Sequence, residues 1–105
     1  MVQYAAMSLH ATNALSHCAR IQALAERDPR RAVALAERAL ARCAGSGDAP
    51  LAAYTLGWAL LCWERFDDAR AQLHAAQELL AQQPDRAAGL RCRLALLMAD
   101  VFQHG

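Results

Sequence analysis

Lysine is absent from the 105 residues, so all eleven basic side chains are arginine, a bias in keeping with a GC-rich genome that carries no functional meaning by itself. Aromatic residues are scarce at 6%, while apolar residues reach 56% and alanine dominates them. A core of large rings is therefore excluded, and helices must approach one another through small side chains. Alanine is the best helix former and a poor strand former, so the expected fold class is all-α. One small domain spanning residues 1–105 accounts for the length.

Other absences exclude whole function classes. No apolar run approaches the roughly 18 residues of a membrane helix, and the N-terminus lacks the basic region of a secretory signal. No membrane partner is expected, and a cytoplasmic location is the default. Cys18, Cys43, Cys62 and Cys92 never form a Cys-x-x-Cys pair, and each stands where a small apolar residue suits a helix. They are expected to be buried reduced thiols. His17 and the separate His10, His74 and His104 lack the spacing that puts two imidazoles on one helix face, so no metal site is expected. A phosphate-binding glycine loop, a Ser-His-Asp set and a nucleophile elbow are all missing. No catalytic residue and no cofactor are expected, and the chain reads as a non-enzyme.

Charge is unevenly spread. Residues 20–42 hold six Arg against three acids, 43–85 two Arg against six acids, and 86–105 three Arg against one acid. Nucleic-acid binding needs a single-sign stripe with interleaved aromatics. Here the arginines are dispersed along helices and the aromatics lie mostly in the acidic segment, so no nucleic-acid partner is expected. The first 19 residues hold no Asp, Glu, Lys or Arg. A helix with one face in water rarely looks like that, and another chain covering that face would explain it.

Four breaks divide the chain. Asp28-Pro29 is an N-cap followed by proline at the first helical position. Gly45-Ser46-Gly47-Asp48 stops one helix and offers Asp48 as cap of the next. Arg65-Phe66-Asp67 forms a tight turn with Asp67 as cap, and Gln83-Pro84-Asp85 breaks the chain again. Five helices result, over residues 3–27, 29–44, 49–64, 67–82 and 86–103. In the second, Ala32, Leu35, Ala36, Ala39, Leu40 and Cys43 share an apolar stripe, and in the fourth so do Phe66, Ala69, Leu73, Ala76 and Leu80. Arg31, Glu37, Arg38, Arg42, Arg70, Gln77 and Glu78 occupy the opposite faces.

Shifting the sequence by 37 positions lays Ala32 on Ala69, Ala36 on Leu73 and Ala39 on Ala76, a period fitting a repeated helical hairpin. With Leu56-Gly57, then Phe66-Asp67-Asp68-Ala69, Leu73, Ala76 and Pro84, the chain resembles a tetratricopeptide repeat (TPR) protein. Ala53 and Leu60 depart from the family's Trp and Tyr, and the first repeat keeps only its second-helix alanines. Leu94, Leu97, Met98 and Val101 resemble the first helix of a third unit with no partner helix, so about two and a half repeats are expected.

The resemblance implies antiparallel helix-turn-helix hairpins stacked as a right-handed solenoid of about five helices. It also implies a concave, partner-binding face of His17, Ile21, Leu24, Leu51, Tyr54, Trp58, Leu61 and Phe102. Trp58 and Tyr54 lie four apart on one helix face and fit either the core or this groove. The Lys, Asn and Arg of the family's carboxylate clamps have no counterpart there. The function implied by the resemblance is a protein-protein interaction module, the N-terminal regulatory or dimerisation segment of a longer bacterial signalling protein, with a diguanylate cyclase or transcription regulator as output domain by analogy. Its partner would be another protein, the downstream chain or a second copy in a homo-oligomer. A free-standing adaptor or chaperone holding a client is the alternative, and a small-molecule sensor using Trp58 and Tyr54 is a third reading.

Overall fold

In a computed structural model of the chain, residues 16–82 and Leu97 are described. Every regular element among them is helical: α1, described over residues 16–25, α2 (Pro29–Cys43), α3 (Ala49–Cys62) and α4 (Phe66–Ala81). Leu97 is helical too. The start of the first expected helix and all but Leu97 of the fifth lie outside the described residues, as do Phe102, Pro84 and Cys92.

The helix boundaries obey local chemistry. Asp28 Oδ1 accepts the Arg31 backbone N–H at 3.3 Å, and Pro29 opens α2 where its missing N–H leaves nothing unsatisfied. At the other end of α2, Gly45 takes a left-handed φ of 78°, which costs glycine no Cβ clash. Ser46 then closes the turn, its hydroxyl donating to the Cys43 carbonyl at 2.7 Å and accepting the Asp48 N–H at 3.2 Å.

Two expected caps are corrected. Asp48 sits in helical geometry and its side chain makes no capping bond, because Pro50 removes one of the donors a cap would serve. Asp67 lies inside α4, and Arg65 is the capping residue, with no side-chain cap bond. The α3–α4 turn comes a residue earlier than expected, at Glu64, a non-glycine residue with φ of 60°. Its N–H donates to Leu61 O and that of Arg65 to Leu60 O, both at 2.9 Å, which is the Schellman way of ending a helix.

The middle helix, α3, contains no charged side chain, and ten of its residues from Ala49 to Leu60 are buried. A helix apolar all round belongs inside. Accordingly α3 packs against both α2 and α4, while those two do not pack against each other. The core steps along the chain in two clusters. The first joins Ile21 and Ala25 of α1, Ala32, Val33, Ala36 and Ala39 of α2, and Leu56, Ala59 and Leu60 of α3, with Ala69 at its edge. The second joins Ala53 and Tyr54 of α3, Leu73, Ala76 and Leu80 of α4, and Leu97.

On α2 the expected stripe is buried at Ala32, Ala36 and Ala39 and half-buried at Leu35, Leu40 and Cys43. On α4 it is buried except at Phe66, which is half-buried because it stands at the helix start. The outward residues behave as expected apart from Arg70, whose stem is half-buried while its guanidinium reaches Asp67 at 3.3 Å. Among the described residues no helix is long and apolar enough to cross a membrane.

Candidate functional site: an apolar strip along the third helix

Only Leu51, Trp58, Leu61 and Cys62 of α3 keep appreciable surface before the helix ends. The first three belong to the expected concave face. Leu51 and Trp58 are seven residues apart and so stand two turns apart on one side. Leu24 of α1, half-buried, joins Trp58, Leu61 and Cys62 in packing on the first core cluster. Leu51, Trp58 and Leu61 thus form a partly open apolar strip along α3.

The other expected residues divide. Ile21 and Tyr54 are 2% and 5% exposed, so both serve the core. For Tyr54 the choice between core and groove therefore falls to core, and Trp58 bridges the two, packing on both clusters from a half-exposed position. His17 is exposed at the far end of α1, where Arg42 Nη2 lies 3.4 Å from its Nε2. Phe102 lies outside the described residues. Of the repeat positions, Leu56, Gly57, Ala69, Leu73 and Ala76 are all buried.

One polar feature inside the strip had no sequence signal. The Trp58 indole nitrogen is buried and has no hydrogen-bond partner among the described residues. A buried donor left in this state costs about 1–3 kcal/mol. Thr55, one turn before Trp58, is fully buried and satisfied: its hydroxyl donates to Leu51 O at 2.8 Å and accepts from Gln22 Nε2 at 3.3 Å.

Among the described residues Cys18, Cys43 and Cys62 form no disulfide; Cys18 is buried but Cys43 and Cys62 are only half-buried, a correction to the expectation of full burial. Burial pushes the Cys18 thiol above its ordinary value, hydrogen bonding with Thr55 works the other way, and nearby Cys43 and Asp48 push it further up. Burial also raises Cys62, helped by Glu26. Such thiols are poor nucleophiles. Among the described residues no three His, Cys, Asp or Glu side chains gather closely enough to hold a metal ion.

A second concavity lies between α2 and α4, over α3, with a volume of about 310 Å³. Val33, Leu56, Leu60 and Trp63 form its apolar lining and Glu37, Arg65 and Asp68 its polar part. The Arg65 guanidinium stacks 4.2 Å from the Trp63 ring centre and that of Arg30 lies 5.8 Å away. Trp63 thus covers the edge of the first cluster. The sequence pattern gave no hint of this concavity because its walls come from two helices that do not pack together. No family model, curated protein or solved structure matches the chain.

Proposed function

We propose that this chain is a non-enzymatic protein-association module of TPR-like architecture, built as a right-handed solenoid of about five helices. In this reading it is the N-terminal regulatory segment of a larger cytoplasmic bacterial signalling protein. The observation that carries it is the stepping core: α3 contributes one side to the α1–α2 hairpin and the other to α4 and Leu97. A repeat array buries its faces in that manner, each hairpin using the next. The small residues Gly57, Ala69 and Ala76 stand where helices approach closely, which supports the resemblance on physical grounds.

The strip of Leu51, Trp58 and Leu61 along α3 is the surface we assign to the partner. An apolar strip of this kind suits the apolar face of a helix. Photo-crosslinking inside the native cell tests the assignment. A photoreactive residue at position 58 should give a discrete adduct with one protein, with a second copy or with a downstream domain. The same residue at position 37, exposed beside the concavity between α2 and α4, should not give that adduct. Equal labelling from both positions, or none from 58 in a folded chain, would refute it.

A further inference from the structure

Arginines that are dispersed in sequence converge on one seam. The contact of His17 with Arg42 sets the register of the antiparallel α1–α2 hairpin. Positions three and four apart share a helix face, so 17, 20 and 24 of α1 run beside 42, 38 and 35 of α2, with Arg27 in the turn after α1 and Arg31 in the first turn of α2 at the end of the seam. Arg20, Arg27, Arg31, Arg38, Arg42 and His17 are all exposed, and half-buried Leu24 and Leu35 sit between them. Among the described residues no carboxylate pairs with any of these five arginines. The seam is a basic frame around an apolar centre.

The opposite balance occurs in the second half of the described chain. Residues 16–44 carry Arg20, Arg27, Arg30, Arg31, Arg38 and Arg42 against Glu26, Asp28 and Glu37, a net charge of +3. Residues 45–82 carry Arg65 and Arg70 against Asp48, Glu64, Asp67, Asp68 and Glu78, a net of −3. On α4 the outward stripe runs Asp67, Ala71, His74 and Glu78, every one exposed, with Asp68 and Glu64 close to its start. Its two carboxylates are separated by about 16 Å along the helix, and positions 31 and 42 of the seam, also eleven residues apart on one helix, by the same distance. The alanine between them admits the close approach that Leu24 and Leu35 need. The Asp67–Arg70 pair does not block this, because Asp67 is 98% exposed and a solvated pair exchanges at little cost.

We propose that the α1–α2 seam of one copy docks the outer stripe of α4 of a second copy, joining copies head to tail by complementary charge. The proposal builds on the reading of the chain as an association module and names a surface separate from the Trp58 strip. Such a contact is heterologous, so it joins copies into rings or open chains, and association grows with concentration. The leucines at the centre, and the lack of aromatics in the seam, favour a helix face over a nucleic-acid strand.

Sedimentation velocity on the full chain tests this with two variants. Arg38→Glu with Arg42→Glu reverses the seam, and Asp67→Arg with Glu78→Arg reverses the stripe; all four positions are exposed, and circular dichroism melts check that both variants fold. The parent chain should self-associate in low salt and dissociate at roughly 0.5 M salt, where charge is screened within about 4 Å. Each variant alone should associate at least tenfold more weakly, and an equimolar mixture should recover association, since each retains the surface the other has reversed. A parent chain that stays monomeric in low salt, association untouched by either reversal, or a mixture no stronger than its parts would overturn the proposal. So would a nucleic acid that binds the seam while the parent chain fails to self-associate. Adducts from position 58 that persist through such a result would leave the association-module reading standing.

Discussion

Leu73 occupies the space that a side chain on Gly57 would need. A methyl group at Gly57 would lie 2.5 Å from Leu73 Cδ2 and 2.8 Å from its Cγ, and Leu73 is fully buried. Alanine is worth about 1 kcal/mol more than glycine in a helix, but forcing a methyl group into a filled site costs about 1–3 kcal/mol. The clash wins, so Gly57→Ala should lower stability by about 1 kcal/mol. Leu73→Ala should lower it by about 2–5 kcal/mol through the cavity it leaves. In the Leu73→Ala background the sign at position 57 should reverse, because the methyl group then enters a void. Urea melts of the four proteins check this cycle, and a Gly57→Ala cost that is the same in both backgrounds would show that the two residues are not coupled.

The two aspartates ahead of proline-containing helix starts should behave differently. Asp28 accepts a backbone N–H and Asp48 does not. Asp28→Ala should cost about 1 kcal/mol, the usual value of a cap. Asp48→Ala should cost a few tenths at most, since its backbone alone joins the turn through Ser46. Thermal melts of the two variants under identical conditions give the comparison.

The all-helical character, the apolar stripes of α2 and α4 and the Asp28 cap were legible because each depends on residues within a few positions of one another. The same locality explains the failures. Asp48 and Asp67 have cap chemistry at plausible places, but Pro50 and the Glu64 turn decide where the helices begin. Tyr54 and Trp58 are alike in sequence terms, and their different burial depends on what α4 and Leu97 lay against α3. The basic seam was invisible for a related reason: spacing along the chain disperses arginines that a hairpin brings side by side.

Glu64 holds a conformation that its own side chain disfavours. Its φ of 60° belongs to the left-handed region, where a Cβ costs roughly 1–2 kcal/mol, and the two 2.9 Å bonds of the Schellman turn hold it there. Glu64→Gly removes the Cβ at a site with no helical propensity to lose, because α3 has ended at Cys62. A gain of about 0.5–1 kcal/mol is expected after the added freedom of the unfolded glycine is subtracted. Glu64→Val should go the other way, since a branched Cβ is poorly tolerated at positive φ. Chemical denaturation of both variants gives the signs.

Cys18 links burial to a dependence of stability on alkaline pH. Its folded-state value lies above the ordinary 9.0, chiefly because burial penalises the thiolate. As pH climbs past that ordinary value the unfolded chain loses the thiol proton first, so the unfolded state binds fewer protons than the folded one. Stability then falls with rising pH, by linkage, while below the unfolded value the thiol contributes no slope. Cys18→Ala removes this contribution, so the difference in melting temperature between the parent chain and the variant should be constant below about pH 8 and shrink above about pH 9. The difference isolates Cys18 from other groups that titrate in the same range. In a chain whose other cysteines are replaced by serine, Cys18 should also react with a thiol reagent only as fast as the protein opens. Labelling at the rate of a free thiol in the native state would show that Thr55 and α3 do not shield it.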